Sequence, residues 1–85
     1  MFEFLITPDF TKSLEKLDFE IQKQIKEKLI YLSDQENPLF LAKRLKGYKN
    51  IFRFRAGDFR IVFRLSQKKI FLLLVKHRKD IYENL

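Results

Sequence analysis

The chain contains no cysteine and no tryptophan, and only one histidine, two glycines and two prolines among 85 residues. Lack of cysteine removes disulfides, thiol nucleophiles and thiolate metal sites, and a single His with no carboxylate pair beside it gives no reason to expect a metal centre. With only Gly47 and Gly57 available there is no phosphate-binding glycine loop, and no cofactor is expected. Ser13, Ser33 and Ser66 stand in no recognisable nucleophile setting. No apolar run approaches the ~20 residues needed to span a bilayer, and the first residues lack the basic-then-apolar order of a signal peptide. A cytoplasmic protein without membrane contact is the expectation. The few glycines and prolines, beside 46% hydrophobic and 34% charged residues, fit a compact fold rather than a disordered or low-complexity chain.

Phenylalanine and positive charge are abundant. A single domain over residues 1–85 buries roughly 60–65% of its unfolded surface, so its core has to be dense, and ten Phe supply the bulk. The net charge of +7 points to a polyanionic partner, either nucleic acid or an acidic protein. Charge alone does not choose between them, because attraction to phosphate carries no sequence information.

The two properties meet in the run from Phe52 to Arg64, FRFRAGDFRIVFR, where apolar and cationic residues alternate on both sides of Gly57. Such alternation marks half-buried strands, and the glycine supplies the positive φ of a tight turn, so the run reads as a β-hairpin. A turn at Ala56-Gly57 would set Arg55 opposite Asp58, Phe54 opposite Phe59, Arg53 opposite Arg60 and Phe52 opposite Ile61. The Phe and Ile side chains then share one face. The other carries Arg53, Arg55, Arg60 and Arg64, a like-charged surface that an anion would relieve. Arg, with its planar five-donor fork, suits two-point contact with phosphate.

Around this hairpin the rest is a frame. Residues 2–6 alternate as a first strand, and Thr7-Pro8 reads as a helix cap with proline at the first position. Phe10, Leu14 and Leu17 give one helical stripe and Ile21, Ile25, Leu29 and Leu32 a second, so helices are expected near 8–17 and 19–34 with Asp18 capping the second. Pro38 through Gly47 reads as an apolar connector packed on the domain edge. Residues 66–69 make another turn, and the unbroken apolar run 70–75 suggests a strand covered on both faces. A short C-terminal helical piece follows from His77. The expected fold is α+β: a two-layer sandwich of a helical hairpin on a mainly antiparallel sheet of about four strands.

Leu45-Lys46-Gly47, the hairpin sequence and His77-Arg78-Lys79-Asp80-Ile81-Tyr82 resemble, in order and spacing, the RelE/ParE superfamily of bacterial and archaeal toxins, and the resemblance covers nearly the whole chain. The closing segment is similar to the RelE branch, whose members cleave messenger RNA in the ribosomal A site by attack of the ribose 2′-hydroxyl on the adjacent phosphate, without metal. The resemblance implies catalytic roles for Arg53 and Arg60 at the scissile phosphate, for Arg78 past the last strand, and for Tyr82 in orienting the nucleotide, with Arg55, Arg64 and Lys46 contacting RNA. It also implies a cognate antitoxin, the ribosome and its mRNA as partners, and operator DNA for the antitoxin complex. The arginines can only stabilise charge, since guanidinium does not give up its proton. The lysine that typical RelE proteins carry two strand positions before the first arginine is replaced by Ile51, leaving Lys49 and His77 as candidate general bases. That departure keeps two alternatives open: a non-catalytic ParE-like toxin acting on DNA gyrase, or an inactive member serving only in the antitoxin repressor complex.

Overall fold

The computed structural model describes residues 1–80. Strand β1 (Glu3–Ile6) leads into helix α1 (Pro8–Glu15) and helix α2 (Phe19–Ser33), and a short 3-10 helix (Pro38–Leu41) precedes strand β2 (Ala42–Arg44). Strands β3 (Ile51–Ala56), β4 (Phe59–Ser66) and β5 (Lys69–His77) follow, and a 3-10 turn over Arg78–Asp80 closes the described chain. The five strands form one sheet in the order β1-β5-β4-β3-β2, with β1 parallel to β5 and every other pair antiparallel. The α+β sandwich is as expected, with one more strand. The extra strand is β2, in the segment read as a connector; its three residues are too few to show alternation.

Local chemistry accounts for the helix starts. Thr7 Oγ1 accepts from the Phe10 amide at 3.3 Å and donates to the Leu72 carbonyl at 2.7 Å, so one hydroxyl caps α1 and ties it to β5. Ser13 extends that seam by accepting from the Val75 amide at 3.0 Å. Asp18 occupies the cap position of α2, but its side chain makes no capping bond. Phe10 from α1 and Ile25 and Leu32 from α2 are fully buried against Phe54, Ile61, Phe63, Ile70, Leu72 and Val75. Phe54 and Phe63 stack at 4.4 Å between centroids, continued by Phe52 on one side and Phe4 on the other. Both helices therefore lie on the phenylalanine face of the sheet.

The hairpin register differs from the expected one. Its turn is Gly57-Asp58 rather than Ala56-Gly57, so Ala56 pairs with Phe59, Arg55 with Arg60, Phe54 with Ile61, Arg53 with Val62 and Phe52 with Phe63. Gly57 at φ 60° takes the first central position, where a turn matching strand twist calls for positive φ. The partner of every β3 residue moves by two positions. Strand side chains alternate with period two, so a two-residue shift leaves each on its expected face. Strand β5 departs from expectation in another way: Ile70, Leu72 and Val75 are buried, but Phe71, Leu73 and Leu74 are only half-buried. The Arg64 guanidinium lies over the Phe71 ring at 4.5 Å, and Leu74 borders a cavity that α1 also lines.

Candidate functional site

The uncovered face is built from side chains that alternate with the core. Cross-strand pairing aligns Lys43 with Arg53, Arg55 with Arg60, and Arg60 with Lys76. Leu41, Lys43, Arg53, Arg55 and Arg60 together line a cleft of about 240 Å³. Of these opposed like charges, the turn accommodates Arg55 and Arg60: the Gly57 carbonyl accepts from Arg55 Nε at 3.3 Å and from Arg60 Nη1 at 3.1 Å. Arg60 Nη1 also donates to its neighbour's carbonyl, that of Phe59, at 3.2 Å. The guanidinium of Arg60 is thus fixed before any ligand arrives.

Its electrostatics mark the centre of the cluster. The pKa of Arg60 is lowered, first by partial burial and then by the charges of Arg55, Arg53 and Arg78, with Asp58 acting in the opposite sense. The part of that lowering that comes from Arg55, Arg53 and Arg78 is a positive potential, which favours an incoming anion by the same physics. Arg78 is anchored beside this cluster, its amide donating to the Asp58 carbonyl at 2.7 Å and its side chain 3.8 Å from the Asp58 carboxylate. Both side chains of that ion pair are more than half exposed, so it orients Arg78 more than it stabilises the fold.

The other sequence candidates lie elsewhere. Lys46 and Lys49 occupy the loop between β2 and β3, lining a separate hollow with Arg44, Leu45, Gly47 and Tyr48. Lys49 precedes β3, before a turn at Asn50 (φ 61°), while Arg55 is the next-to-last residue of that strand, four residues or about 13 Å beyond Ile51 at ~3.3 Å per residue. Arg64 is at that same end of the sheet, opposite Ile51. His77 pairs with Phe59, on the phenylalanine side, with its ring edge-on to Phe59 at 5.2 Å. Its Nδ1 accepts from the Lys79 amide at 3.1 Å, and it borders a cavity under α1 with Asp9, Lys12 and Asp80. Neither candidate base therefore stands in the arginine cleft. Tyr82 lies outside the described residues.

Two residues on the arginine face carried no sequence assignment. Lys43 belongs to the three-residue strand and Lys76 to the end of an apolar run, and periodicity singles out neither. Only the cross-strand register reveals them.

An open face of preorganised cations on a five-stranded α+β sheet defines a protein built to meet an anionic partner. The family model described as ParE toxin of type II toxin-antitoxin system, parDE, matches residues 4–82, and the chain belongs to this family. It is a type II toxin of the RelE/ParE superfamily. It is 35% identical over 82 residues to Toxin RelE3 of Methanocaldococcus jannaschii, covering 93% of each chain. Among solved structures it is similar to the toxin of the RelB-RelE antitoxin-toxin complex from Methanococcus jannaschii, at 32% identity and a TM-score of 0.74, covering 95% of this chain and 98% of that one. The RelBE2 toxin-antitoxin complex from Mycobacterium tuberculosis aligns with a TM-score of 0.78 at 26% identity, over 91% and 98% of the two chains.

Proposed function

We propose that this toxin is a ribosome-dependent messenger RNA endonuclease, held inactive by a cognate antitoxin that covers its arginine face. The observation that carries the reading is the cleft of Arg53, Arg55 and Arg60, with Arg78 close enough for its charge to act on Arg60. Attack of a ribose 2′-hydroxyl on the neighbouring phosphate builds negative charge on the phosphoryl oxygens. Fixed guanidinium donors aimed at that charge lower the barrier without reorganising during the reaction. Arg60, hydrogen-bonded to two backbone carbonyls, fits that role best. Arg78 stabilises the same charge from the C-terminal side, Tyr82 orients the nucleotide, and Arg64 and Lys46 hold the flanking RNA.

The similar RelB-RelE and RelBE2 structures are complexes of toxin with antitoxin, and a partner of that kind fits this chain. An acidic or amphipathic antitoxin segment would neutralise the opposed arginines and cover the half-buried Phe71 and Leu74 beside them. The resulting complex acts on operator DNA, and the toxin works in the cytoplasm where ribosomes are.

The matching family model is described by its ParE members, which favours one second reading: a toxin that poisons DNA gyrase without cleaving RNA. Primer extension on a translated messenger after induction separates the two. Codon-phased breaks support the endonuclease, whereas intact messenger with stalled DNA replication supports the gyrase-directed toxin.

A further inference from the structure

The cleft has three guanidinium groups and one amine. Guanidinium cannot take a proton from a ribose hydroxyl, because it is always protonated already. The first residue of β3 is Ile51, which has no group that can take a proton, Lys49 lies in the loop before β3 and lines a separate hollow, and His77 belongs to the opposite side of the sheet. Lys76 pairs with Arg60 but also borders the cavity under α1, in the company of Asp9 and Asp80. Lys43 pairs with Arg53 and lines the same cleft as Arg55 and Arg60. Its side chain is exposed and makes no hydrogen bond or ion pair among the described residues, so its Nζ is not engaged elsewhere.

We infer that Lys43, supplied by the short edge strand β2, is the general base of RNA cleavage, an inference that rests on the endonuclease reading. As a free amine, Lys43 Nζ takes the proton of the 2′-hydroxyl while an electron pair of the 2′-oxygen forms a bond to phosphorus. The bond between phosphorus and the 5′-oxygen breaks, and the departing oxygen keeps that electron pair and takes a proton from water. Lys43 then returns its proton to solvent, which neutralises the hydroxide left behind. The products are a 2′,3′-cyclic phosphate and a 5′-hydroxyl, with no change of oxidation state. The base thus sits on the edge strand that the antiparallel register brings alongside Arg53.

The test is single-turnover cleavage of a messenger with a defined A-site codon on programmed ribosomes, read against pH. Lys43→Arg keeps the positive charge but cannot serve as a base, and it is expected to lose on the order of 10²–10⁴ in rate with ribosome affinity unchanged. Lys43→Ala is expected to lose rate likewise, and added primary alkylamine to restore part of it. Lys68→Arg, in the turn between β4 and β5, is the control and cleaves like the wild type. Wild-type rate in Lys43→Arg, or no rescue of Lys43→Ala by amine, overturns the assignment and leaves the endonuclease reading intact. Absence of cleavage by the wild type removes both.

Discussion

Arg55 and Arg60 stand directly opposite each other across the hairpin, and both donate to one acceptor, the carbonyl of Gly57. Opposed like charges cost a sheet a few tenths to ~1 kcal/mol. The turn offsets part of that cost by giving both guanidinium groups a shared partner at fixed distance. A surface that keeps two cations together at the expense of stability is organised for an anion.

Arg60→Ala therefore has opposite effects on activity and stability. Loss of one preorganised donor is expected to cost on the order of 10²–10³ in single-turnover cleavage rate. The melting temperature should not fall, since removal of Arg60 ends the partial burial of a cation and its repulsion with Arg55, Arg53 and Arg78, the causes that lower its pKa. Cleavage assays and thermal melts on the same preparation check both signs. Full cleavage in both Arg60→Ala and Arg78→Ala would remove these two arginines from the chemistry, whereas full toxicity without RNA cleavage, in the wild type as in the variants, would favour the gyrase-directed reading.

Lys46 and Lys49 sit at the far end of β3 from the Gly57-Asp58 turn, in a loop that also holds the half-exposed Tyr48. Their expected contribution is to RNA affinity. Each single-strand phosphate that loses its neutralising cation reduces the slope of log affinity against log salt by about 0.7. The double variant Lys46→Ala, Lys49→Ala should thus flatten the salt dependence of RNA binding by roughly 1.4 while single-turnover cleavage at saturation stays at the wild-type rate. A collapse of that rate would return Lys49 to the chemistry.

Much of this was legible in the sequence because one strong pattern dominates it. Alternation from Phe52 to Arg64 fixes which side chains share a face wherever a two-residue turn closes, so the arginine surface survives a two-residue error in register. The pairing of individual arginines does not survive it: Arg53 faces Val62, and Arg55 takes its place opposite Arg60. Turn position depends on which of two adjacent residue pairs the backbone prefers, and Ala56-Gly57 and Gly57-Asp58 both offer a glycine. Strand β2 was hidden because it owes its existence to hydrogen bonds with β3 rather than to its own three residues, and Lys43 was hidden with it. His77 and Lys49 illustrate the converse. Their chemistry suits a base, but sequence proximity to the arginines does not translate into a shared cleft.

Phe63 lies between Phe54 and Phe52 in the stacked row and is fully buried. Phe63→Ala is expected to cost ~3–5 kcal/mol in urea unfolding, the range for removing a buried aromatic ring. Phe54→Ala should cost a similar amount. The pair in combination should cost less than the sum by about 0.5–1.5 kcal/mol, because their rings stack at 4.4 Å. Strict additivity would mean that the stacked row contributes only through area buried.

Two exposed surfaces compete for the antitoxin: the arginine face, with Phe71 and Leu74 half-buried among the cations, and the outer side of α2, where Phe19 and Ile30 are 77% and 64% exposed. Phe19 and Ile30 are eleven residues apart, about three helical turns, and so fall on one side of α2 with Lys23 and Lys26 between them. The arginine face is expected to be the stronger site, because a charge-complementary segment there gains from every cation it neutralises and from two apolar anchors. Affinity for the cognate antitoxin should fall steeply between low and high salt, and Arg55→Ala with Arg64→Ala should weaken it more than Phe19→Ser with Ile30→Ser. Co-expression should rescue growth with the wild-type toxin and fail to protect fully against an active variant whose arginine face no longer binds. Affinity that is insensitive to ionic strength and abolished by the α2 substitutions would place the principal docking surface on the helical hairpin instead.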